Sequence, residues 1–241
     1  MAAVTGASSG IGAATAVELA RAGAAVAVGA RRKERLDSLV ERIESDGGRA
    51  QAFELDVTDE AQARGFVESA NSQLGGLDIL VNNAGVMLLG PVEDADTDEW
   101  RRMVDVNVLG LLYCTHAALP LMRAKERGDV VNVSSVAGRR AGAGAAVYNL
   151  TKFGVTGFSE ALRQEALHHN IRVTCVEPGM VDTELQGHNT HPAVRQSMAR
   201  SAERIGKPLT AEDVARTIVW AVEQPSHVGL NELLVRPVGE L

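Results

Sequence analysis

Tyr148 and Lys152 stand four residues apart in Tyr148-Asn149-Leu150-Thr151-Lys152, within a stretch of helical period, so both side chains leave the same helix face. Such a pair can move protons. A phenol with a pKa near ~10 is a poor base at neutral pH, and bringing it down about three units takes on the order of 4 kcal/mol. An ammonium at ~4 Å supplies about 4 kcal/mol at an effective dielectric of 20 but only about 1 in bulk water. The spacing therefore predicts a partly dry pocket in which Lys152 lowers the Tyr148 pKa. Two serines, Ser134 and Ser135, end an apolar run thirteen or fourteen residues earlier.

A second chemical signal lies at the start of the chain, in Thr5-Gly6-Ala7-Ser8-Ser9-Gly10-Ile11-Gly12 between a strand and a helix. Gly6 permits a tight turn, Gly10 lets backbone approach a pyrophosphate, and Gly12 allows close helix packing. The free N–H groups and positive dipole end of the helix favour an anion there, and a dinucleotide is the natural occupant. About twenty residues on, where an acidic side chain would bond a ribose 2′-hydroxyl, the chain instead carries Ala30-Arg31-Arg32. Arginine offers planar donors to a 2′-phosphate, worth roughly 1.5 to 3 kcal/mol, or about 10- to 150-fold in affinity. NADP(H) is the expected cofactor. The alternative is two solvated arginines at a helix start, paired with Glu34 or Asp37.

These residues need a scaffold. The 241 residues are 45% hydrophobic, 23% charged and 3% aromatic, which fits one soluble globular unit spanning 1–241. A net charge of −7 argues against nucleic-acid binding, which needs a basic surface to displace counterions. Cys114 and Cys175 sit in apolar runs, as buried thiols of a reducing, cytoplasmic protein would. The uncharged start is Gly-, Ala- and Ser-rich rather than Leu-rich, so neither a signal peptide nor a membrane anchor is expected.

Short apolar runs alternate with helical periods. Strands are expected at 2–4, 25–30, 50–55, 77–82, 129–133, 171–176 and 230–235, and helices at 11–21, 33–45, 60–73, 99–124, 148–168 and 211–223. Continuous apolar strands such as Leu77-Asp78-Ile79-Leu80-Val81-Asn82 imply burial on both faces. The expected fold is α/β: a single-domain Rossmann fold with a doubly wound, seven-stranded parallel sheet and helices on both faces. The stretch 184–208 is the least committed and reads as a substrate lid that His188 and His191 could line.

The spacing Gly-x3-Gly-x-Gly after Thr5, Asn82-Asn83-Ala84-Gly85 after the fourth strand, Ser135, Tyr148-x3-Lys152 and Pro178-Gly179 leading to Thr183 resemble, in order, the motifs of the short-chain dehydrogenase/reductase family. They cover nearly the whole chain. The stretches 87–96 and 231–237 look most like the clavulanate dehydrogenase and serine 3-dehydrogenase group. Only four residues precede Thr5, fewer than the family pattern carries, so the first strand is expected to be short.

The resemblance implies that Tyr148 is the general acid or base, Lys152 fixes the nicotinamide ribose and tunes Tyr148, Ser135 polarises the carbonyl, and Asn107 holds a water in the relay toward Lys152. It also implies cofactor contacts from Gly6, Ser8, Ser9, Gly10, Ile11 and Gly12 in the loop, from Arg31 and Arg32, and from Asp56 and Val57 at the adenine. Asn83, Ala84, Gly85, Tyr148, Lys152, Pro178, Gly179, Val181 and Thr183 complete the set. Thr5, Asp78 and Asn83 are expected to hold backbone rather than do chemistry, and no metal site is expected.

The implied activity is an NADP(H)-dependent interconversion of a small carbonyl compound and its alcohol, a carbonyl reductase or alcohol dehydrogenase chemistry. The substrate would be a β-lactam-type aldehyde, a hydroxy amino acid or a generic ketone. A homotetramer is implied, with 109–121 and 153–167 as contact faces. The alternative is a non-catalytic dinucleotide-binding sensor or scaffold of the same fold; such proteins usually lose the tyrosine or the lysine.

Overall fold

Alternation along each strand decides what it faces: Ala2 and Val4 point into one core while Ala3, between them, points into the other. This first strand, β1 (Ala2–Thr5), is short as expected, yet it is paired on both sides. The computed structural model describes residues 1–189 and 191–240. Alternating elements follow as α1 (Gly10–Arg21), β2 (Ala25–Ala30), α2 (Lys33–Ser45), β3 (Arg49–Glu54), α3 (Glu60–Leu74) and β4 (Ile79–Asn82). Next come α4 (Thr97–Val104), α5 (Gly110–Ala124), β5 (Gly128–Val133), α6 (Ala146–Ala166) and β6 (Ile171–Pro178), then α7 (Pro192–Ile205), α8 (Ala211–Val222) and β7 (Glu232–Val235).

The seven strands form one parallel sheet in the order β3-β2-β1-β4-β5-β6-β7. Chain order reverses between β1 and β4, the crevice where such sheets bind ligands. One face packs against α1, α2 and α8 through Val17, Leu19, Leu36, Ile43 and Ile218. The other packs against α3, α5 and α6 through Phe66, Val67, Cys114, Met122 and Leu162. Each fully buried Leu, Ile, Met or Phe contributes about 1.5 to 3 kcal/mol. Both cysteines are buried thiols.

Two expectations change. The helix expected at 99–124 is broken by a π turn at Asp105–Leu109, which carries Asn107. Thr97–Ala124 is one helical run among the described residues long and apolar enough to cross a membrane, but here it lays Cys114, Ala118 and Met122 on the sheet. The stretch 184–208 also has regular structure: a short 3₁₀ turn at Glu184–His188 and then α7. Pro192 at the start of that helix and Gly206 just past its end, at φ +77°, are the signals that mark it. Of the expected lid, Thr190 lies outside the described residues.

A buried polar chain fixes α6 on the sheet. Asn82 Nδ2 donates to Thr115 Oγ1 and to Asn132 Oδ1, each at 2.9 Å, and Asn132 Nδ2 donates to Ser159 Oγ at 2.9 Å. These buried bonds set the register of α6 more sharply than apolar contact does, while Asn82 Oδ1 is left buried without a partner.

Candidate active site

The first turn after β1 is shaped by backbone. Gly6 has φ +66° and Gly10 φ +54°, the left-handed region that glycine adopts without strain. A Cβ on Gly6 would meet Ala84 Cα at 2.7 Å, and one on Gly12 would meet Asn83 Nδ2 at 2.4 Å and the Gly6 carbonyl oxygen at 2.5 Å. Side chains are thus excluded from the loop at two points. Thr5 Oγ1 accepts from the amides of Asn83 and Ala84 at 3.1 Å each, and Asn83 Nδ2 donates to the carbonyls of Thr5 and Gly6 at 3.0 and 3.2 Å. Thr5 and Asn83 hold backbone, as expected. Asp78 holds only the terminal main-chain amine of Met1, at 2.8 Å, and otherwise pairs with Lys125 at 2.8 Å and Arg127 at 3.3 Å, because it stands at the far end of the sheet, where cations from the loop after α5 converge.

A cavity of about 510 Å³ opens over the C-terminal ends of the strands. Gly6, Ser8, Ser9, Gly10, Ile11, Arg31, Arg32, Asp56, Val57, Asn83, Ala84, Gly85, Ser135, Tyr148, Lys152, Pro178, Gly179, Val181 and Thr183 all line it. Two expected residues do not. Gly12 packs behind the loop, and Asn107 sits 2% exposed behind Gly85. Asn107 Oδ1 accepts from the Val86 amide at 2.8 Å, while Nδ2 donates to the Val86 carbonyl at 2.9 Å and to Thr151 Oγ1 at 3.2 Å. Both amide hydrogens are therefore committed. A π turn re-aims a side chain that a continuous helix would point elsewhere, which is how Asn107 reaches Val86.

The two serines have different partners. Ser134 is buried and donates to the Lys152 carbonyl at 3.0 Å, whereas half-buried Ser135 caps the turn Val136–Gly138, accepting from the Ala137 amide at 3.1 Å. Tyr148 and Lys152 leave one face of α6, each 6% exposed. Lys152 Nζ donates to the Val133 carbonyl at 2.9 Å and lies 5.8 Å from the Tyr148 ring centre.

Here the electrostatic expectation is reversed. Burial pushes the Tyr148 phenol up to about 12, with the Ser135 hydroxyl acting in the opposite sense, and burial lowers the Lys152 ammonium to about 8. The pocket is dry, and removing water costs the charged form of each group. The Tyr148 phenol is thus neutral at neutral pH.

Arg32 turns to the glycine loop. Its Nε and Nη2 donate to Ser8 Oγ at 3.1 and 2.9 Å, Nη2 also to Ser9 Oγ at 2.8 Å, and Nη1 to Glu184 at 2.9 Å. It pairs with neither Glu34 nor Asp37; Lys33 takes Asp37. Asp56 Oδ1 accepts from the Thr58 amide and hydroxyl at 3.0 and 2.8 Å. The rim also contains Met180, Glu184, Leu185, Gln186, Met198 and Glu240, none of them evident from motif spacing, because they come from β6 onward and meet the loop only in space. His188 lines this cavity; His191 lines a second one beside Trp100. The glycine cradle, the serine hydroxyls and the arginines at its rim together fit a nicotinamide dinucleotide.

A family model described as short chain dehydrogenase matches residues 1–193. The glycine betaine reductase of Emericella nidulans is 44% identical over 245 residues, which is 100% of this chain but 19% of that protein's length. An uncharacterised oxidoreductase of Staphylococcus saprophyticus is 38% identical over 236 residues, covering 97% of this chain and 94% of the relative. The closed form of a serine dehydrogenase complexed with NADP+ superimposes with a TM-score of 0.91 at 34% identity, over 100% of this chain and 96% of that one.

Proposed function

The chain belongs to the short-chain dehydrogenase family, and on that premise we propose that it is an NADP(H)-dependent oxidoreductase interconverting a small carbonyl compound and its alcohol by hydride transfer, in the manner of a carbonyl reductase. One observation carries this reading: Tyr148, Ser135 and Lys152 line the same cavity as the glycine loop and the arginines. When bound, the nicotinamide supplies the hydride. Ser135 donates a hydrogen bond to the substrate oxygen, and Tyr148 gives that oxygen its phenolic proton in reduction or accepts it back in oxidation. With its phenol raised to about 12, Tyr148 carries its proton at neutral pH, the form that reduction requires. Lys152 holds the ribose and steadies negative charge on the phenol. Asn107 braces Val86, and its Oδ1 has a second lone pair for a water on the way to Lys152.

Asp56 and Val57 flank the adenine in this reading, and Pro178 to Thr183 border the carboxamide. Val86, Met87, Leu89, Leu185 and Met198 give the wall around Tyr148 an apolar character, which favours a compact substrate. The test is a spectrophotometric screen of aldehydes and ketones run in parallel with NADPH and NADH. Turnover with NADPH on at least one carbonyl class is the expected result; NADPH binding without turnover across the panel would return the non-catalytic reading.

The proposed assembly is a soluble, cytoplasmic homotetramer. Leu150 and Phe153 on α6 are 65% and 45% exposed, and Gly154 and Gly157, on the same face, would meet nothing within 4 Å if given side chains. That apolar, close-approach surface supports pairing of α6 between subunits. Light scattering is expected to give about four times the chain mass, and a monomeric mass contradicts the assembly.

A further inference from the structure

Glu184 opens the 3₁₀ turn after Thr183, on the cavity rim, and its two carboxylate oxygens are divided between two guanidinium groups. Oε2 accepts from Arg32 Nη1 at 2.9 Å and Oε1 from Arg35 Nη1 at 2.7 Å. The rest of the Arg32 guanidinium is spent on Ser8 and Ser9, so the arginine closest to the glycine loop is already matched by an anion of the chain itself. The other acids of the rim have different partners: Asp56 serves Thr58, and Glu240 accepts from the Met180 amide at 2.9 Å. The two arginines together hold the Glu184 carboxyl down to about 2, so it stays ionised across the working range of pH.

We propose that Glu184 sets cofactor discrimination by standing on Arg32 and Arg35 in place of a 2′-phosphate. This rests on the dinucleotide reading above. With a dinucleotide that lacks the phosphate, Glu184 keeps both arginines neutralised, so the site tolerates NAD(H). A 2′-phosphate must share Arg32 with a carboxylate of like charge or displace it, which weakens the hold on NADP(H) below what the arginines alone would give. Exposed ion pairs shift equilibria by up to about fivefold each, and all three side chains are 43 to 48% exposed.

The test is calorimetric titration of the full chain and of Glu184→Gln with NADP+ and with NAD+, at low salt and at roughly 0.5 M salt, where exposed charges are screened. Glu184→Gln is expected to bind NADP+ about fivefold more tightly and NAD+ within about twofold of the unsubstituted chain, the gain shrinking at high salt. Unchanged or weaker NADP+ binding in a variant with an unaltered circular dichroism spectrum overturns the proposal, as does a gain that salt leaves untouched. A chain that binds neither dinucleotide before any substitution overturns the dinucleotide reading itself.

Discussion

Replacing Tyr148 with phenylalanine is expected to lower NADPH-coupled carbonyl reduction by about 10²- to 10⁴-fold, the contribution of a positioned general acid. The change removes one oxygen from a ring packed among Val86, Leu88 and Met103, and every apolar contact of that ring survives. Thermal unfolding is therefore expected to move by only a few degrees. Dinucleotide affinity is expected to hold within about threefold, because the glycine loop and arginines that carry most of it lie across the cavity. Steady-state kinetics beside a thermal melt decides the matter: Tyr148→Phe turning over within tenfold of the unsubstituted enzyme removes Tyr148 as the proton donor.

Replacing Lys152 with methionine is expected to move activity and stability in opposite directions. Turnover falls at least about 10²-fold, since the group proposed to steady charge on the phenol is gone. Stability should rise. Burial lowers Lys152 from 10.5 to about 8, so between those values the unfolded chain binds more protons than the native one and native stability increases with pH. Below pH 8 both states carry the proton and the full penalty applies, about 3 kcal/mol at 1.36 kcal/mol per pKa unit. Methionine removes that penalty but leaves the Val133 carbonyl without its donor, which returns about 1 to 2 kcal/mol. The net expectation is a gain of about 1 to 2 kcal/mol at pH 7 that shrinks as pH rises from 8 toward 10.5. Urea unfolding of both proteins at pH 7 and pH 9.5 measures it; a variant less stable at pH 7 contradicts the sign.

The two predictions share a lesson about the pair. Four-residue spacing on a helix puts Tyr148 and Lys152 on one face whatever surrounds them, and that much is local geometry. Which way their proton affinities move depends on how much water the fold leaves beside them. The expectation of a lowered phenol assumed that the ammonium would dominate. The structure gives a ring and an amine that are each 6% exposed, with Nζ turned to the Val133 carbonyl, and burial dominates instead.

Boundaries tell a similar story. Strand identities were legible because runs such as 77–82 and 171–176 are too short and too apolar for surface helices. The break at Asp105–Leu109 was not, since its residues continue the helical period and nothing local opposes a continuous helix. The bonds from Asn107 to Val86 and Thr151 stabilise the wider turn, and they exist only once β4 and α6 are in place. Likewise α7 was bounded by legible punctuation, Pro192 and Gly206, while its polar composition hid it.

What the sequence by itself determined is the set of local commitments: three glycines after β1, a tyrosine and lysine one helical turn apart, two arginines where an acid would otherwise stand, and the alternation that makes a parallel sheet. Each follows from sterics or periodicity within a few residues. Only the tertiary structure decided that Glu184, about 150 residues away in sequence, would share those arginines, that the Ser134 hydroxyl would be committed to the Lys152 carbonyl, and that the Tyr148 phenol would be held neutral. Those outcomes depend on distances across the sheet and on exclusion of water, and neither quantity exists until the chain has closed on itself.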